Sequence, residues 1–570
     1  MIASIPWLKS GDIEGDFIIH RKPDPDDYYG QPADGINELT IARESGHHVK
    51  LTVFTPEGSV PATAKHVSGR CIKAASNLDR AKHWFNDCLR NHDHDQDRPS
   101  RRPSRLVAVG TADGSESIKI VDGLDRDKEY LTVSYRWGRE TLLTTSETFE
   151  LFHTSIPWEQ LPKTFQDAIN IARELGIEHM WIDSLCIIQD DLIDWEIESG
   201  KMADIYKSAL LTIMAASASD SQGGFFPDRA IIKKLVALPY TDASGTTELS
   251  VFVGRRPPNF RTVLSAAPLF QRGWVFQERL MSKRKLIFGE TQTYWECHGV
   301  VLSESNIQSQ GPLEIRQTQN DAAFQVFTGP IHKMNTTSDP ISPVFLWRNV
   351  VSQYSPCALT YEADRLPALS GIARTFARRF GGSYGAGLWQ DQMPYNLLWF
   401  ASYQASKETY KGEYCAPSWS WASIRDGVHF DTPGGMLELE ILSINIKLAG
   451  QDPYGRVCPG SSMCVRGRLR SGTLVRREGY EHKVWLYSEH GRLDNMGYLD
   501  RYDENLPLEV VYLEVSSGRV QTHRDATCLL LRRIGADKHF RRVGMANLQT
   551  VVLNEDYLFH GLGKEAITLV

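Results

Sequence analysis

The sequence predicts an α/β protein with a parallel sheet and helical extensions, followed by a C-terminal antiparallel β domain. The first part of this prediction depends on the segment from Leu161 to Ser217, in which helix and strand patterns alternate. Its strand segments are nearly continuous apolar runs, as expected for a parallel sheet covered by helices on both faces. The second part depends on residues 437–570, where short strand patterns follow one another.

Composition limits the function classes. A chain of 570 residues is long enough for two or three domains, and 41% hydrophobic with 23% charged residues is ordinary for a globular protein. The net charge of −7 does not favour nucleic-acid binding, and no apolar run approaches the roughly 20 residues of a membrane helix. Nine cysteines without a CxxC pair predict neither a disulfide framework nor a zinc ribbon. Without a visible signal peptide, a cytoplasmic location is expected, with no nucleic-acid or membrane partner.

Changes of pattern along the chain predict four regions. They are an N-terminal region and linker (1–105), an α/β domain (106–300), a helical extension (301–430) and a β-rich domain (431–570). In the first region, His47–Phe54 has a strand pattern, and Leu78, Ala81, Trp84, Phe85 and Leu89 predict one face of a helix. His92 and His94 alternate with aspartates just beyond it, before a proline- and arginine-rich stretch. A metal site is conceivable there, but the composition favours a solvated linker, so no metal site is predicted.

The strand predicted at residues 131–135 ends in Ser134, Tyr135, Arg136 and Trp137, followed by Gly138. A hydroxyl, a cation and an aromatic face on a flexible turn suit a loop that binds a ligand. A tight turn with a buried Trp137 explains the same residues equally well, and the sequence leaves both interpretations open.

The segment 161–217 places further polar residues at a strand end. Apolar residues at helical spacing predict a helix over 163–175, and the strand at 180–182 follows. Six polar residues come directly after it: Asp183, Ser184, Cys186, Gln189, Asp190 and Asp191. Ligands bind beyond the carboxyl ends of parallel strands, so these residues are candidates for a site. Cys186 lies between Leu185 and Ile187, which favours a buried thiol over a nucleophile, and at least one of the two last aspartates is expected to cap the next helix.

The predicted topology makes the strands at 131–135, 180–183 and 210–216 parallel neighbours, with the helix at 163–175 as a crossover. A second helix is predicted to carry Trp195, Met202, Ile205 and Tyr206. Downstream, a hairpin is predicted at 235–254 and another at 286–297, with a short helix between them that contains Trp274 and Glu278. Helices are expected at 344–354, 366–380 and 397–400, and Trp419 and Trp421 are expected in a half-buried strand as core residues.

Several long motifs resemble the fungal heterokaryon-incompatibility (HET) domain. They occur in order as YLTVSYRWG, LPKTFQDAINIARELGIEHMWIDSLCIIQDD, DWEIESGKMADIYKSALLTIMAASA, GGFF and RGWVFQERLMS. The resemblance covers about residues 100–430, and it departs at Arg136, where many family members have cysteine. It implies an intracellular protein linked to allorecognition and programmed cell death.

The HET domain is similar to TIR domains, which implies a flavodoxin-like sheet and, in some members, NAD cleavage. TIR enzymes have a tryptophan four residues before their catalytic glutamate, and Trp274 and Glu278 reproduce this spacing. The resemblance therefore implies Glu278 as a catalytic residue, with NAD as a substrate and no other cofactor. Asp183, from its place at the strand end, is the second predicted catalytic residue. The residues implied to bind the ligand are Ser134, Tyr135, Arg136, Trp137, Ser184, Cys186, Gln189, Asp190 and Trp274.

Two other functions stay open at this point. One is an enzyme of fungal secondary metabolism that uses the same scaffold for another small molecule. The other is a signalling module without catalysis, which self-associates as a homo-oligomer.

Overall fold

A computed structural model describes most of the chain. The described residues are 17–21, 38–43, 48–55, 70–71, 78–92, 94, 101–113, 115–125, 128–227, 236–241, 247–255, 260–297, 300–304, 342–402, 414–432, 435–477, 483–488, 491–501, 505–520, 523–535, 537–551 and 558–570. They divide between two compact units. The first contains Met1–Ser199, Asp204–Phe270 and Ser282–Arg316, and the second contains Gly200–Ala203, Gln271–Met281 and Gln317–Val570.

The first unit begins with short strands and one amphipathic helix. These elements are β1 (Phe17–Arg21), β2 (Glu38–Arg43), β3 (His48–Thr55), β4 (Arg70–Cys71), α1 (Leu78–Asn91), β5 (Arg105–Ala108) and β6 (Lys119–Asp122). Ala81, Trp84, Phe85 and Cys88 are the buried residues of α1, and their i, i+3, i+4, i+7 spacing forms one face. The predicted helix is confirmed, although Leu89 lies outside this face and is exposed.

The elements of the α/β region then follow. They are β7 (Leu131–Ser134), α2 (Phe149–Thr154), α3 (Lys163–Leu175), β8 (His179–Trp181), α4 (Asp183–Cys186), α5 (Leu192–Ser199), α6 (Met202–Ser208), β9 (Leu211–Met214), β10 (Val236–Thr241), β11 (Thr247–Arg255), α7 (Phe260–Ala266), α8 (Gly273–Met281), β12 (Arg284–Phe288), β13 (Thr293–Cys297) and β14 (Val300–Ser303). Gly176 ends α3 with a positive φ of 71°, which suits glycine. The second helix predicted in this region is instead two helices, α5 and α6, separated at Gly200.

The main sheet has eight strands in the order β14-β13-β12-β9-β7-β8-β5-β6. Its four central strands are parallel, since β7 pairs in parallel with both β8 and β9, and β9 pairs in parallel with β12. The predicted parallel neighbours are therefore confirmed. The sheet is mixed, since β5, β6, β13 and β14 pair antiparallel at its two edges, as the hairpin predicted at 286–297 requires for β13.

A second sheet of the first unit joins N-terminal strands to a later hairpin. Its order is β1-β2-β3-β11-β10, with antiparallel pairing, and β4 adds to β3 in parallel. The hairpins predicted at 235–254 and 286–297 are both confirmed, as β10–β11 and β12–β13.

The second unit contains a helical part rich in aromatic residues. Its elements, besides α8, are α9 (Pro343–Tyr354), α10 (Pro367–Phe380), β15 (Tyr384–Gly385), β16 (Leu388–Trp389), α11 (Met393–Asn396), β17 (Trp399–Ala401) and β18 (Val428–Phe430). Trp419 and Trp421 are fully buried, as expected, but Trp419 lies in a turn and Trp421 begins a 3-10 helix, so neither is in a strand. The helix expected at 397–400 is also wrong, because Trp399 begins β17 and pairs with β18. The apolar side chains of residues 397–400 would be buried in a core helix as they are in the strand. The apolar content of this segment therefore did not distinguish a helix from a strand.

Six of the nine C-terminal strands form a closed antiparallel barrel, and the other three pair with its strands. The nine strands are β19 (Met436–Leu437), β20 (Glu440–Asn445), β21 (Ser462–Arg476), β22 (Lys483–Ser488), β23 (Gly491–Leu499), β24 (Leu508–Val520), β25 (His523–Ile534), β26 (His539–Val551) and β27 (Lys564–Leu569). The pairings run β24-β25-β26-β23-β22-β21, and β21 pairs again with β24, which closes the ring. Buried residues including Leu486, Leu530 and Val543 form its core. Among the described residues, no helix combines the length and apolarity needed to cross a membrane.

Candidate functional site

Polar residues after the central parallel strands meet at the carboxyl end of the sheet. Trp137 follows β7, and its indole Nε1 donates a hydrogen bond of 2.8 Å to Oδ2 of Asp183, the first residue after β8 and Ile182. Because β7 and β8 are neighbours in the sheet, this bond joins the ends of adjacent strands. We call Trp137, Asp183, Gln189 and Asp190 the strand-end cluster.

The loop after β9 completes this end of the sheet. The amide of Gly138 donates to Thr141 Oγ1 at 2.8 Å, and that oxygen lies 3.3 Å from Ser221 Oγ. A Cβ atom on Gly138 would lie 2.9 Å from Cβ of Asp220, so the close approach of the two loops requires glycine. The ends of three adjacent parallel strands therefore converge, as the topology predicts.

Asp183 is held by several bonds. Its Oδ1 accepts the amide of Ser184 at 2.7 Å, while Gln189 Nε2 donates to the Asp183 carbonyl at 3.1 Å. Both carboxylate oxygens are thus hydrogen-bonded. This geometry makes Asp183 a group that orients Trp137, and its catalytic role stays a prediction.

Trp137 and Arg136 provide the accessible binding chemistry. The Trp137 side chain is 37% exposed although its Nε1 is hydrogen-bonded, and Arg136 is half-buried beside it. The tight-turn interpretation with a buried Trp137 is therefore wrong. The ring presents a flat aromatic surface whose orientation is constrained before any ligand binds.

The two aspartates after this loop have structural partners. Asp190 Oδ1 accepts the amide and hydroxyl of Ser146 at 2.8 and 3.1 Å. Asp191 Oδ1 accepts the amides of Ile193 and Asp194 at 2.9 and 3.2 Å, which caps the start of α5. The prediction of a capping aspartate is confirmed.

Four of the predicted ligand-binding residues are buried: Ser134, Tyr135, Ser184 and Cys186. The Tyr135 ring packs edge-to-face against Phe165 of α3, with centroids 5.0 Å apart. Burial raises the pKa of the Cys186 thiol to about 12, so this thiol is protonated and poorly suited to nucleophilic attack. These side chains contribute to the core beneath the loops, and their predicted contact with a ligand remains untested.

Trp274 and Glu278 lie on α8, which belongs to the second unit. Trp274 Nε1 donates to Asp364 Oδ2 at 3.3 Å, and the neighbouring Gln277 accepts the amide of Gly371 on α10 at 2.9 Å. Glu278 is only 6% exposed, so it is not an ordinary solvated glutamate of a helix surface. Its predicted catalytic role stays a prediction.

A second polar group of the first unit was missed from the sequence. Cys88, His92, His94 and Cys297 bring one possible ligand atom each within 4.8 Å of one another, and we call them the thiol–imidazole cluster. Cys88 Sγ lies 3.0 Å from His94 Nε2, and His92 Nδ1 lies 3.1 Å from Cys297 Sγ. The prediction that both histidines belong to a solvated linker is wrong, because His94 is 4% exposed and His92 is half-buried.

Electrostatics distinguish the two thiols of this cluster. The hydrogen bond with Cys297 lowers the pKa of Cys88 to about 3, with further help from His94 and Arg284. The same bond and burial raise the pKa of Cys297. The spacing Cys88-x3-His92-x-His94 was a local signal for this group, but its fourth member comes from the distant β13.

Comparison with known proteins gives one match, to a family model. A four-stranded parallel core with polar strand-end loops defines an α/β domain of the kind that binds ligands at its carboxyl edge. Residues 130–278 match the family model described as heterokaryon incompatibility protein (HET), so the chain contains a HET domain. The match covers about a quarter of the chain, from the start of β7 to Glu278. Searches of curated proteins and of solved structures found no match.

Proposed function

We propose that this HET-domain protein of the incompatibility type binds a small ligand with a planar ring and an anionic group at Trp137, and that the ligand is NAD. The observation that carries the proposal is the exposed indole of Trp137, held in place by its 2.8 Å bond to Asp183. A side chain that is already oriented loses little conformational freedom on binding.

NAD has the groups that such a surface would bind. Its nicotinamide ring is cationic, and a cation over a tryptophan face is stabilised by about 0.5–2 kcal/mol. Arg136 lies two residues after the end of β7 and supplies a guanidinium group, which pairs well with phosphate oxygens. The bound ligand would thus be held by stacking on one side and by charge on the other.

The chemistry proposed for this ligand is hydrolysis of the nicotinamide–ribose bond. Water adds to the ribose carbon, nicotinamide leaves, and one proton is released. The transition state carries positive charge on the ribose, which a carboxylate stabilises. Glu278 is the proposed carboxylate, because it lies four residues after Trp274 and TIR enzymes have the same spacing between a tryptophan and their catalytic glutamate.

Calorimetric titration of the full chain with NAD tests binding. Trp137→Ala removes the stacking surface and should weaken binding about tenfold, since stacking of a base on an aromatic side chain is worth about 1–3 kcal/mol. Tyr361→Ala, which removes an aromatic side chain that is 70% exposed elsewhere, is the control and should bind normally. Equal affinities in all three proteins, or no binding of NAD, would overturn the assignment.

Nicotinamide release, measured by chromatography, tests hydrolysis. Glu278→Gln keeps the shape of the side chain and removes its charge, so turnover should fall by about a hundredfold with binding retained. If the wild type binds NAD without releasing nicotinamide, the hydrolysis proposal fails while the binding proposal stands. Calorimetric titration with other nucleotides and with aromatic carboxylates tests the alternative of a metabolic substrate.

Self-association is a second candidate function, favoured by one observation. Helix α5 exposes three apolar side chains, Leu192, Ile193 and Ile197, at 80%, 72% and 51%. Exposed apolar groups at neighbouring positions are typical of contact surfaces, and the proposed occupant is a second copy of the chain. Light scattering should then show a dimer or larger species that Ile193→Asp dissociates and Leu151→Asp, on α2, does not. A monomeric wild type would exclude this candidate.

A further inference from the structure

The thiol–imidazole cluster joins two distant parts of the first unit. Cys88 lies in the last turn of α1, His92 and His94 follow the end of that helix, and Cys297 is the last residue of β13. The helix already packs against the same strand, because the ring of Phe85 contacts Trp295 edge-on, with centroids 6.5 Å apart. The four side chains therefore meet at a contact that apolar packing also maintains.

The donor atoms have the chemistry and spacing of a zinc site. In a tetrahedral Cys₂His₂ site, Zn–S bonds of about 2.3 Å and Zn–N bonds of about 2.0 Å place the ligand atoms about 3.3–3.8 Å apart. All four atoms here lie within 4.8 Å of one another, and the two sulfur–nitrogen pairs Cys88–His94 and Cys297–His92 are 3.0 and 3.1 Å apart. Outward shifts of a few tenths of an ångström would make room for the ion.

The burial of these groups also favours a metal. Cys88 and Cys297 are 0% and 1% exposed, and His94 is 4% exposed. Burying polar groups costs free energy that a few weak hydrogen bonds to sulfur offset only in part. Arg284 Nε donates to Cys88 Sγ at 3.3 Å, and such an outer hydrogen bond is typical of metal-bound thiolates.

We propose that Cys88, His92, His94 and Cys297 bind one Zn²⁺ ion that fastens α1 to β13, the strand next to the β14 edge of the main sheet. Thiolate and imidazole ligands select zinc over magnesium or calcium, which prefer oxygen. Four protein ligands complete the tetrahedral shell and leave no position for a substrate, so the site is structural. Its function is to stabilise the fold of the first unit independently of the ligand at Trp137.

The main competing chemistry is a disulfide between Cys88 and Cys297. A disulfide gives the two histidines no function, whereas zinc uses all four side chains. The two possibilities are distinguished by measuring the metal content of the protein and by testing whether Cys88 and Cys297 are oxidised to a disulfide.

Metal analysis of the full chain, purified with reductant and without a polyhistidine tag, tests the proposal. The wild type should contain about one zinc per chain. Cys297→Ser and His94→Asn should lose it, while His83→Asn, which changes an exposed histidine of the same helix, should retain it. Zinc content unchanged in both cluster variants would overturn the proposal.

A spectroscopic measurement on the wild type keeps the test valid if the variants do not fold. Zinc is removed with a chelator and Co²⁺ is added to the same protein. Tetrahedral coordination by thiolates gives intense visible bands and a sulfur-to-cobalt charge-transfer band, and added Zn²⁺ should displace both. A wild type that yields neither zinc nor this spectrum, or mass spectrometry showing a Cys88–Cys297 disulfide in the native protein, would overturn the site.

Discussion

The strand-end cluster and the thiol–imidazole cluster belong to the same compact unit but differ in exposure and in bonding. In the first, Trp137 is 37% exposed, and the carboxylate of Asp183 is hydrogen-bonded through both oxygens. In the second, both thiols are buried, and their close contacts are to imidazole nitrogens. An accessible surface with its polar groups satisfied suits a ligand that comes and goes. A buried group of soft donors suits a permanently bound ion.

This difference in exposure and bonding distinguishes side chains that are available to a ligand from side chains that maintain the structure of the domain. Carboxylates dominate the strand-end loops, yet those of Asp190 and Asp191 bond the loop and the helix start, while Trp137 offers an exposed ring and Arg136 a half-buried guanidinium group. Function at this edge is therefore expected to depend on few side chains, while stability depends on many.

The largest effect is expected on stability, from substitutions in the thiol–imidazole cluster. His94→Ala removes one of the proposed zinc ligands and should lower the free energy of unfolding by about 3 kcal/mol or more, because loss of a metal is among the most destabilising changes. Urea unfolding with saturating zinc measures the change. His83→Ala, on the exposed side of α1, should change the same quantity by less than about 0.5 kcal/mol. Equal effects of the two variants would remove the contrast between the clusters.

The strand-end cluster could be largely predicted from the sequence because its parts are local. A short apolar strand followed at once by polar residues predicts that those residues lie at the carboxyl end of a parallel sheet. The parallel pairing of β7 with β8 and β9 confirms this prediction. The capping role of Asp191 depends only on the next three residues. Local pattern did not show that Tyr135 and Ser184 are buried, since burial depends on how α3 and the loops pack.

The thiol–imidazole cluster could not be predicted in the same way because it depends on a contact between distant residues. Cys297 is separated from His94 by the whole α/β region, and nothing near Cys297 marks it as a partner. Aspartates beside the histidines favoured a solvated linker by composition alone. The antiparallel pairing of β5 with β8 was not predicted for a related reason: parallel or antiparallel pairing is decided by chain topology, which an apolar run does not encode.

A smaller effect on NAD affinity is expected at Asp183. Substitutions there distinguish a role in holding Trp137 in place from a role in catalysis. Asp183→Ala frees the Trp137 ring, which must then lose side-chain freedom on binding, so affinity for NAD should fall roughly two- to tenfold. Asp183→Asn retains an oxygen that accepts the indole N–H and should bind nearly as the wild type does. Calorimetry compares the affinities. If the asparagine variant binds as poorly as the alanine variant, the anchoring role is wrong, and if only its turnover falls, the carboxylate takes part in catalysis.

The smallest effect concerns Asp191, which caps α5 through the amides of Ile193 and Asp194. Asp191→Ala leaves those amides without their acceptor and should lower the free energy of unfolding by about 1 kcal/mol. Asp191→Ser restores a capping oxygen and should recover most of that loss. Glu196→Ala, on the exposed side of the same helix, controls for a change of charge and should have little effect on stability.

The affinity for NAD is expected to distinguish Asp191 from its neighbours in the strand-end loops. Because the Asp191 carboxylate accepts the amides of Ile193 and Asp194 at its own helix start, NAD affinity should be the same in Asp191→Ala as in the wild type. A loss of affinity as large as that of Asp183→Ala would show that the α5 start belongs to the binding surface. Stability loss without affinity loss would instead confine the binding function to the loops after β7 and β8.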